Sequence, residues 1–178
     1  MRSVLVCAAV VAVSAAVLLA DDHSVIFDED VDFSPFTTFA VGALKIDSAR
    51  PELNFPAVMR SAAQAVRTTL TGKGLKEAAD HADLVATVDV QGVDYAIGPF
   101  GRPNAIPPNA GGRRGRAATM AVDFTEITIV VDLNRGTPAV LLWRGVYHDS
   151  EKDARKLAEA LPKDTAALLA DYPPKKAK

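Results

Sequence analysis

The chain has 178 residues, of which 49% are apolar, so it can supply one hydrophobic core and is too short for a multidomain machine. Charged residues make up 24% of the sequence, and the net charge is -2. This balance excludes bulk disorder, which needs low hydrophobicity and high net charge. It also argues against a nucleic-acid binder that relies on a basic surface.

The N-terminal segment has the residue order of a secretory signal peptide. Arg2 precedes an apolar run, Val4–Leu19, which ends at Ala20 before polar residues. The run is short for a membrane-spanning helix, which needs roughly 20 apolar residues. We therefore predict that residues 1–20 are a signal peptide cleaved after Ala20. Cleavage after Ala16 and retention as an N-terminal anchor are the alternatives.

Cysteine usage fits an exported chain that does not use disulfides. The only cysteine, Cys7, lies near the start of the apolar run, too early to become a lipid-modified mature N-terminus. The mature chain would contain no thiol, and therefore no disulfide, cysteine nucleophile or thiolate metal site. We expect a periplasmic or envelope-associated protein without a lipid-anchor cysteine at the signal junction.

The first part of the mature chain predicts two strands and a helix. Ser24–Phe27 and Phe36–Val41 are β-branched or aromatic, and a polar, proline-bearing turn joins them. Asn54 is a suitable helix N-cap, and Gly72 and Gly74 stand where the helix should end. The helix itself is indicated by apolar residues at steps of three and four: Phe55, Val58, Met59, Ala62, Val66 and Leu70.

Three further strands are indicated by alternating apolar residues. Leu84–Gln91 alternates regularly, which predicts a strand covered on one side. The alternation between Met120 and Leu133 changes parity near Thr125-Glu126, as a bulge or bend would produce. Residues 134–138 then form a turn, and a strand over 139–147 returns to make a hairpin.

The last element is a helix that Ser150 would cap and that Pro162 would kink or restart. Residues 175–178 follow as a basic tail. The element order predicts an α+β two-layer sandwich over residues 21–174. We expect one mainly antiparallel sheet of about five strands with two helices packed on one face.

Four segments, in order and at similar separations, resemble the domain-of-unknown-function 4136 family of bacterial envelope proteins. The segments are Asp32-Phe33-Ser34-Pro35-Phe36 with Thr38-Phe39; Lys73-Gly74-Leu75 followed by Ala82-Asp83-Leu84-Val85; Leu142-Trp143-Arg144-Gly145; and Tyr172-Pro173-Pro174-Lys175. The resemblance covers almost the whole mature chain. It implies a small α+β domain outside the cytoplasm, commonly a lipoprotein, and it carries no established catalytic residues.

Acidic and histidine residues offer weak candidates for chemistry. The acidic residues between Asp21 and Asp32 could bind calcium, but their spacing does not match an EF-hand, and a solvated turn with local hydrogen bonds is the alternative. His23, His81 and His148 are too dispersed for a metal site. His148-Asp149-Ser150 contains triad residue types, but neighbours on a strand point to opposite sides. We predict no enzyme, metal or cofactor.

The most unusual segment is 97–116, which contains five glycines, four prolines, four arginines and no acid. It is either a hairpin extension or a cationic arm for an anionic envelope partner, because arginine pairs well with phosphate and carboxylate. Its arginines are Arg102, Arg113, Arg114 and Arg116.

Trp143 and Arg144 are the second candidate surface. Packing is the ordinary interpretation of both, and a ligand surface is the functional one, since tryptophan and arginine are common at interface hot spots. On one strand, Trp143 should share a face with Tyr147 while Leu142 shares the other with Arg144. The sequence thus predicts a non-catalytic binding module of the envelope, with no nucleic acid and at most peripheral membrane contact. A hydrolase or metal-dependent enzyme whose site is assembled only in the fold is the alternative.

Overall fold

A computed structural model describes residues 23–98, 101–106, 121–136 and 138–174. The predicted signal peptide, the basic tail and Met120 lie outside these ranges. In chain order, the described elements are β1 (His23–Phe27), β2 (Thr38–Ser48), α1 (Pro56–Gly72), β3 (Lys76–Glu77), β4 (Leu84–Ile97), β5 (Pro103–Ile106), β6 (Phe124–Arg135), β7 (Val140–Glu151) and α2 (Ala154–Ala170).

The strands form one seven-stranded sheet in the order β1-β7-β6-β4-β2-β3, and β5 pairs with the end of β4. The α+β class and the two helices are confirmed. The predicted sheet of five mainly antiparallel strands is corrected to a mixed sheet, because β2 runs parallel to both β4 and β3. Helix α1 supplies the crossover that a parallel pair needs, and a strand pattern in sequence does not show which connection is a crossover.

Both helices pack on one face of the sheet. On β4 and β6 this face carries every second residue, all fully or almost fully buried, so the predicted alternation of β4 is confirmed. The predicted hairpin of β6 and β7 is also confirmed by a nearly continuous antiparallel register. The central core residues on these two strands are Leu84, Ala86, Val88, Val90, Ile127, Ile129, Val131 and Leu133.

The parity change in β6 is not a bulge. Pairing with β4 is regular from Phe124 onward, and Thr125 is buried on the same face as Ile127. Phe124 lies on the opposite face, where its ring stacks on Tyr95. The alternation of apolar residues suggested a bulge because the polar Thr125 occupies a core position while the aromatic Phe124 occupies an outer one.

A bulge occurs instead in β7. The register with β6 shifts between Leu133 and Asn134, and two consecutive residues, Leu142 and Trp143, are both buried. Leu142 therefore does not share a face with Arg144, as a regular strand would require.

Helix α1 begins one residue later than predicted. Its N-cap is Phe55, which provides no side-chain cap. The Asn54 side chain instead donates to the carbonyl oxygens of Ser48 and Arg50, at 2.6 and 3.2 Å. It thereby closes the turn between β2 and the helix. The end of the helix at Gly72 agrees with the prediction.

Helix α2 is capped by Asp153 and not by Ser150. Strand β7 extends to Glu151, and Oδ1 of Asp153 accepts from the backbone N–H of Arg155 at 3.0 Å. The helix continues through Pro162 to Ala170 as one element, so of the two predicted outcomes, a kink or a restart, the restart does not occur. No helix in the described ranges is long and apolar enough to span a membrane.

Candidate functional site

The sheet face opposite the helices, which we call the open face, is left uncovered by the described elements. Strand alternation sends every second residue of the central strands to it, because the intervening residues fill the core. Backbone pairing aligns these residues in rows across the sheet. Its central members are Thr87, Asp89 and Gln91 of β4, Thr128, Val130 and Asp132 of β6, Arg144, Val146 and His148 of β7, and Ser24 and Ile26 of β1.

One row carries the ion pair of Arg144 with Asp132. The Arg144 Nε donates to Oδ1 of Asp132 at 2.7 Å, and its Nη2 donates to Oδ2 at 2.7 Å. These hydrogen bonds raise the pKa of Arg144 above its ordinary value. In the same row, Ile26 on β1 is 65% exposed. Arg144 therefore presents a fixed and largely neutralised guanidinium, with an exposed apolar side chain beside it.

In the next row, the carboxylate of Asp89 has fewer partners than that of Asp132. Lys45 Nζ lies 3.9 Å from Asp89 Oδ2, and Oδ1 of Asp89 has no hydrogen-bond partner in the described part of the chain. Oδ1 itself is buried, whereas the Asp89 side chain as a whole is 40% exposed. The row thus adds a partly exposed carboxylate to a surface that already offers a donor at Arg144.

The open face becomes apolar towards the end of β4. The rings of Tyr95 and Phe124 stack with centroids 5.0 Å apart. Val93 and Ile97 on the same side of β4 are 39% and 47% exposed. This apolar end was not predicted. The sequence signal for it is that the odd-numbered residues of β4 after Gln91, namely Val93, Tyr95 and Ile97, are all apolar or aromatic.

The segment 97–116 begins as a strand hairpin. Strand β5 pairs with the last four residues of β4, and the N–H of Gly98 donates to the carbonyl of Arg102 at 2.9 Å. The connecting turn contains Gly101 at φ +69°, a conformation that favours glycine. Arg102 is exposed at this turn. The other three arginines, Arg113, Arg114 and Arg116, lie outside the described residues.

Of the predicted arginines that the structure describes, Arg102 and Arg144 lie far apart along the sheet. Arg144 lies in the row of Thr87, whereas Arg102 lies in the turn that follows Ile97. Ten residues of strand separate Thr87 from Ile97, which is roughly 30 Å at about 3.3 Å per residue. A partner that contacts both would have to cover the length of the open face.

Trp143 is not part of this surface. It is 0% exposed, lies on the helix face, and meets the ring of Tyr172 edge-on with centroids 6.3 Å apart. Its Nε1 has no partner in the described chain, which is consistent with complete enclosure by apolar groups. The structure therefore supports the packing interpretation of Trp143 and removes it from the candidate binding residues.

The three histidines lie apart. His23 bonds to Asp171 at 3.1 Å, while His148 Nδ1 lies 3.0 Å from the hydroxyl of Thr128. His81 lines a different cleft, of about 480 Å³, together with Asp83 and Arg135. Within the described ranges no group of three potential ligands could hold a metal ion.

In the His148-Asp149-Ser150 segment and in the acidic turn, side chains make hydrogen bonds to nearby groups. Oδ1 of Asp149 accepts from the backbone N–H of Ser150 at 2.7 Å, and His148 faces β6 instead. In the turn after β1, Asp28 and Asp32 accept backbone N–H groups two residues ahead, each at 3.0 Å. The predicted local hydrogen bonding of this turn is thus confirmed.

The four segments that carry the family resemblance converge at the end of the core where β4 begins. The hairpin of β4 and β5 lies at the opposite end of β4. Oδ2 of Asp83 accepts from the backbone N–H groups of Thr37 and Thr38 at 2.9 Å and from the Thr38 hydroxyl at 2.8 Å. In return, the Asp83 N–H donates to that hydroxyl oxygen at 2.9 Å. Hydrogen bonds from the backbone of Thr37 and from Thr38 hold the pKa of Asp83 below its usual value.

Tyr172 joins the remaining segments to this end. Its ring meets Phe33 edge-on at 5.8 Å and Trp143 at 6.3 Å. Burial, with a smaller contribution from the charge of Asp83, raises the pKa of Tyr172 to about 12. We call Thr38, Asp83, Phe33, Trp143 and Tyr172 the motif cluster. Its hydrogen bonds and ring contacts help to hold the fold together at this end.

A family model described as a domain of unknown function (DUF4136) matches residues 24–174. No curated protein matches the chain. A PDZ domain protein from Parabacteroides distasonis has a similar structure, with a TM-score of 0.58 and 16% identity. The match covers 88% of this chain, which spans 36% of the length of that protein, and it shows similarity of fold alone.

Two further solved structures are more distantly similar. A DUF4136 family protein from Bacteroides thetaiotaomicron has a TM-score of 0.43 and 17% identity, with coverage of 82% of this chain and 93% of the other. The PelC dodecamer from Paraburkholderia phytofirmans has a TM-score of 0.48 and 14% identity, with coverage of 83% and 95%.

Proposed function

The chain belongs to the DUF4136 family, a family of unknown function, and we propose that it acts as a non-catalytic binding module of the bacterial envelope. The resemblance drawn from the four sequence segments is confirmed by this match. The observation that carries the proposal is the open face, a broad sheet surface left uncovered by the described helices and strands. Export, predicted from the N-terminal segment, places the module outside the cytoplasm in this proposal.

The chemistry of the open face favours a macromolecular or extended partner over a small substrate. Its polar groups are spread in rows over several strands, and its apolar residues lie at one end beside the hairpin. Such a distribution suits contact over a wide area with a few apolar anchors. For the enzyme alternative, His81 and His148 lie in different clefts, and the cleft of His148 is also lined by Glu126, Asp149 and Ser150.

The arginines of segment 97–116 indicate that the proposed partner is anionic. Segment 97–116 contains four arginines and no acid, and Arg102 is exposed where the hairpin leaves the sheet. Arginine binds phosphate and carboxylate through paired hydrogen bonds. We therefore propose an anionic envelope partner, bound by the hairpin and by the adjoining apolar end of the open face.

Affinity capture from a bacterial envelope extract tests this proposal. The bait is the full chain, compared with a variant in which residues 100–115 are replaced by a short Gly-Ser turn. We expect a partner that the full chain retains and the variant loses. Equal capture by both baits would contradict a role for the hairpin, and capture by neither would contradict the binding module.

A second variant tests the open face itself. Gln91→Glu adds a negative charge at an exposed position in the row of Thr128 and His148. It should weaken capture of an anionic partner about fivefold to tenfold, since a like charge at an interface slows association. Ala167→Glu adds the same charge on the exposed side of α2 and should leave capture unchanged. Equal loss in both variants would point to net charge and not to this face.

A further inference from the structure

Both lateral edges of the sheet have free backbone groups. Strand β1 pairs only with β7 among the described strands, so its other edge has no partner there. Strand β2 pairs with β3 only at Thr38 and Phe39, which leaves its outer edge unpaired from Ala40 to Asp47 within the described chain. A strand edge with unpaired N–H and C=O groups is a template for another strand.

The free edge of β2 borders an apolar groove with basic walls. The groove lies between β2 and α1 and has a volume of about 430 Å³. Leu44 of β2 is only partly buried there, although it packs against the core. Arg60 is exposed and has no ion-pair partner in the described chain, while Arg67 bonds to Glu77 at 2.8 Å. No acid lines the groove, whose residues are Leu44, Met59, Arg60, Ala63, Gln64 and Arg67.

The free edge of β1 is apolar on its helix side and lies next to acidic residues, which complements the basic groove beside β2. Its helix-side residues Val25 and Phe27 are partly buried and pack on the core. The acidic turn follows directly, and the exposed side chains of Glu29 and Asp30 have no partner in the part of the chain that the structure describes. Each edge therefore leaves core-packed apolar side chains incompletely covered, next to charges of opposite sign.

The directions of β1 and β2 also allow the two strands to pair as antiparallel neighbours in adjacent copies. Three successive antiparallel pairs lead from β1 through β7 and β6 to β4, and β2 is parallel to β4, so β1 and β2 run in opposite directions. If β1 of another copy lay beside β2, its end would point towards β3. The acidic turn that follows would then reach the end of the groove where Arg67 lies, near Glu77 and the exposed Lys76.

We propose that this chain assembles head to tail, with β1 of one copy added as an antiparallel strand to the free edge of β2 in the next. Pairing of like edges would forgo the match between the acidic turn of one copy and the exposed Lys76 of the next. A contact between two different surfaces repeats, and it closes into a ring or continues as a filament. This assembly is independent of the proposed anionic partner, since strand addition occupies the sheet edges and leaves the open face free.

The first test is the mass of the purified full chain in solution. Light scattering after size exclusion, from about 1 µM to about 200 µM, should give a mass that rises above one copy with concentration, as expected for a reversible contact. A mass of one copy over the whole series would overturn the proposal.

A charge swap tests which edges meet. Lys76→Glu should weaken assembly about tenfold or more, and so should the double variant Glu29→Lys with Asp30→Lys, because each places like charges across the contact. Mixing the two variants should restore assembly, since every contact between them pairs opposite charges. Arg155→Glu changes an exposed arginine on α2 and should have no effect. Loss of assembly without recovery on mixing would count against the proposal, provided that circular dichroism shows each variant folded.

Crosslinking distinguishes head-to-tail from like-with-like pairing. In a Cys7→Ser background, Ser24→Cys and Lys45→Cys each place one exposed thiol beside one edge. A short thiol-specific crosslinker should join the two variants when they are mixed and should join neither variant to itself. Crosslinks within a single variant would show an isologous contact and overturn the proposal.

Discussion

At the scale of single residues, Asp83 illustrates how a family motif can be structural. Its carboxylate binds the start of β2, and its backbone N–H is bound in return by Thr38. Strands β2 and β4 are thereby aligned from their first residues, where Phe39 pairs with Leu84. A carboxylate at this position satisfies two N–H groups at once, which a neutral side chain cannot do as strongly.

Asp83→Asn should lower the free energy of unfolding by about 1–2 kcal/mol at pH 7, because hydrogen bonds to a charged acceptor are replaced by weaker ones. The pKa of Asp83 is lowered in the folded protein, so its contribution is present above the ordinary value of 3.8 and disappears as pH falls through the folded value. The difference between the two proteins should therefore shrink in acid. Urea denaturation at pH 7 and at about pH 2 measures it.

Asp80→Asn is the matched control, since Asp80 is exposed in the same turn. It should change the free energy of unfolding by less than about 0.5 kcal/mol. An equal effect of the two substitutions would show that the Asp83 hydrogen bonds contribute little.

At the scale of elements, the contact between β7 and α2 depends on a missing side chain. A Cβ at Gly145 would lie 2.7 Å from the Trp143 ring and 3.2 Å from the Leu168 side chain. Both neighbours are buried, so neither can move freely. Close packing of the helix on the sheet thus requires glycine at this position.

Gly145→Ala should lower the free energy of unfolding by about 1–3 kcal/mol through overpacking. Gly72→Ala, at the end of α1 with nothing within 4 Å of the added Cβ, should be neutral or slightly stabilising. Denaturation followed by the fluorescence of Trp143, the only tryptophan, measures both variants. Equal stability of Gly145→Ala and the parent chain would refute the packing argument.

The elements that could be predicted from sequence were those with a regular pattern. The alternation of β4 and the three-and-four spacing of α1 identified both elements, because one face of each is buried. The sense of β2 could not be predicted, since parallel pairing is set by the crossover of α1 and not by local residues. Strand β5 was hidden because Pro103-Asn104-Ala105-Ile106 has little strand character of its own and pairs only through β4.

The candidate site was predictable only in part, for the same reason. Arg144 could be chosen as a surface residue, but its pairing with Asp132 requires the register of β6 and β7. For Trp143 both a packing and a surface interpretation were open, and the structure supports packing because the helices cover the face on which Trp143 lies. The pattern of a single strand shows neither its partner strand nor which of its faces is covered.

At the scale of the whole molecule, stability in alkali should reflect the motif cluster. The pKa of Tyr172 is about 12 in the folded protein against an ordinary 10.0, because burial disfavours the phenolate. Its stabilising contribution is therefore complete below pH 10 and is lost as pH rises towards 12. The free energy of unfolding should fall over this interval, as measured by urea denaturation at several pH values.

Tyr172→Phe isolates the effect, since phenylalanine keeps the ring contacts with Phe33 and Trp143 but does not titrate. The free energy of unfolding of this variant should fall less between pH 10 and 12 than that of the parent chain. Parallel curves for the two proteins would assign the alkaline loss to other groups.

The position of β1 at the far edge of the sheet sets an order of folding. Its only described partner is β7, the last strand in the chain, so β1 cannot dock before nearly the whole sequence is available. The β2-α1-β4 unit and the β6-β7 hairpin join neighbours in sequence and close shorter loops, which costs less chain entropy. During synthesis, the first strand to be made is thus the last to find its place, and its apolar edge stays exposed until the chain is complete.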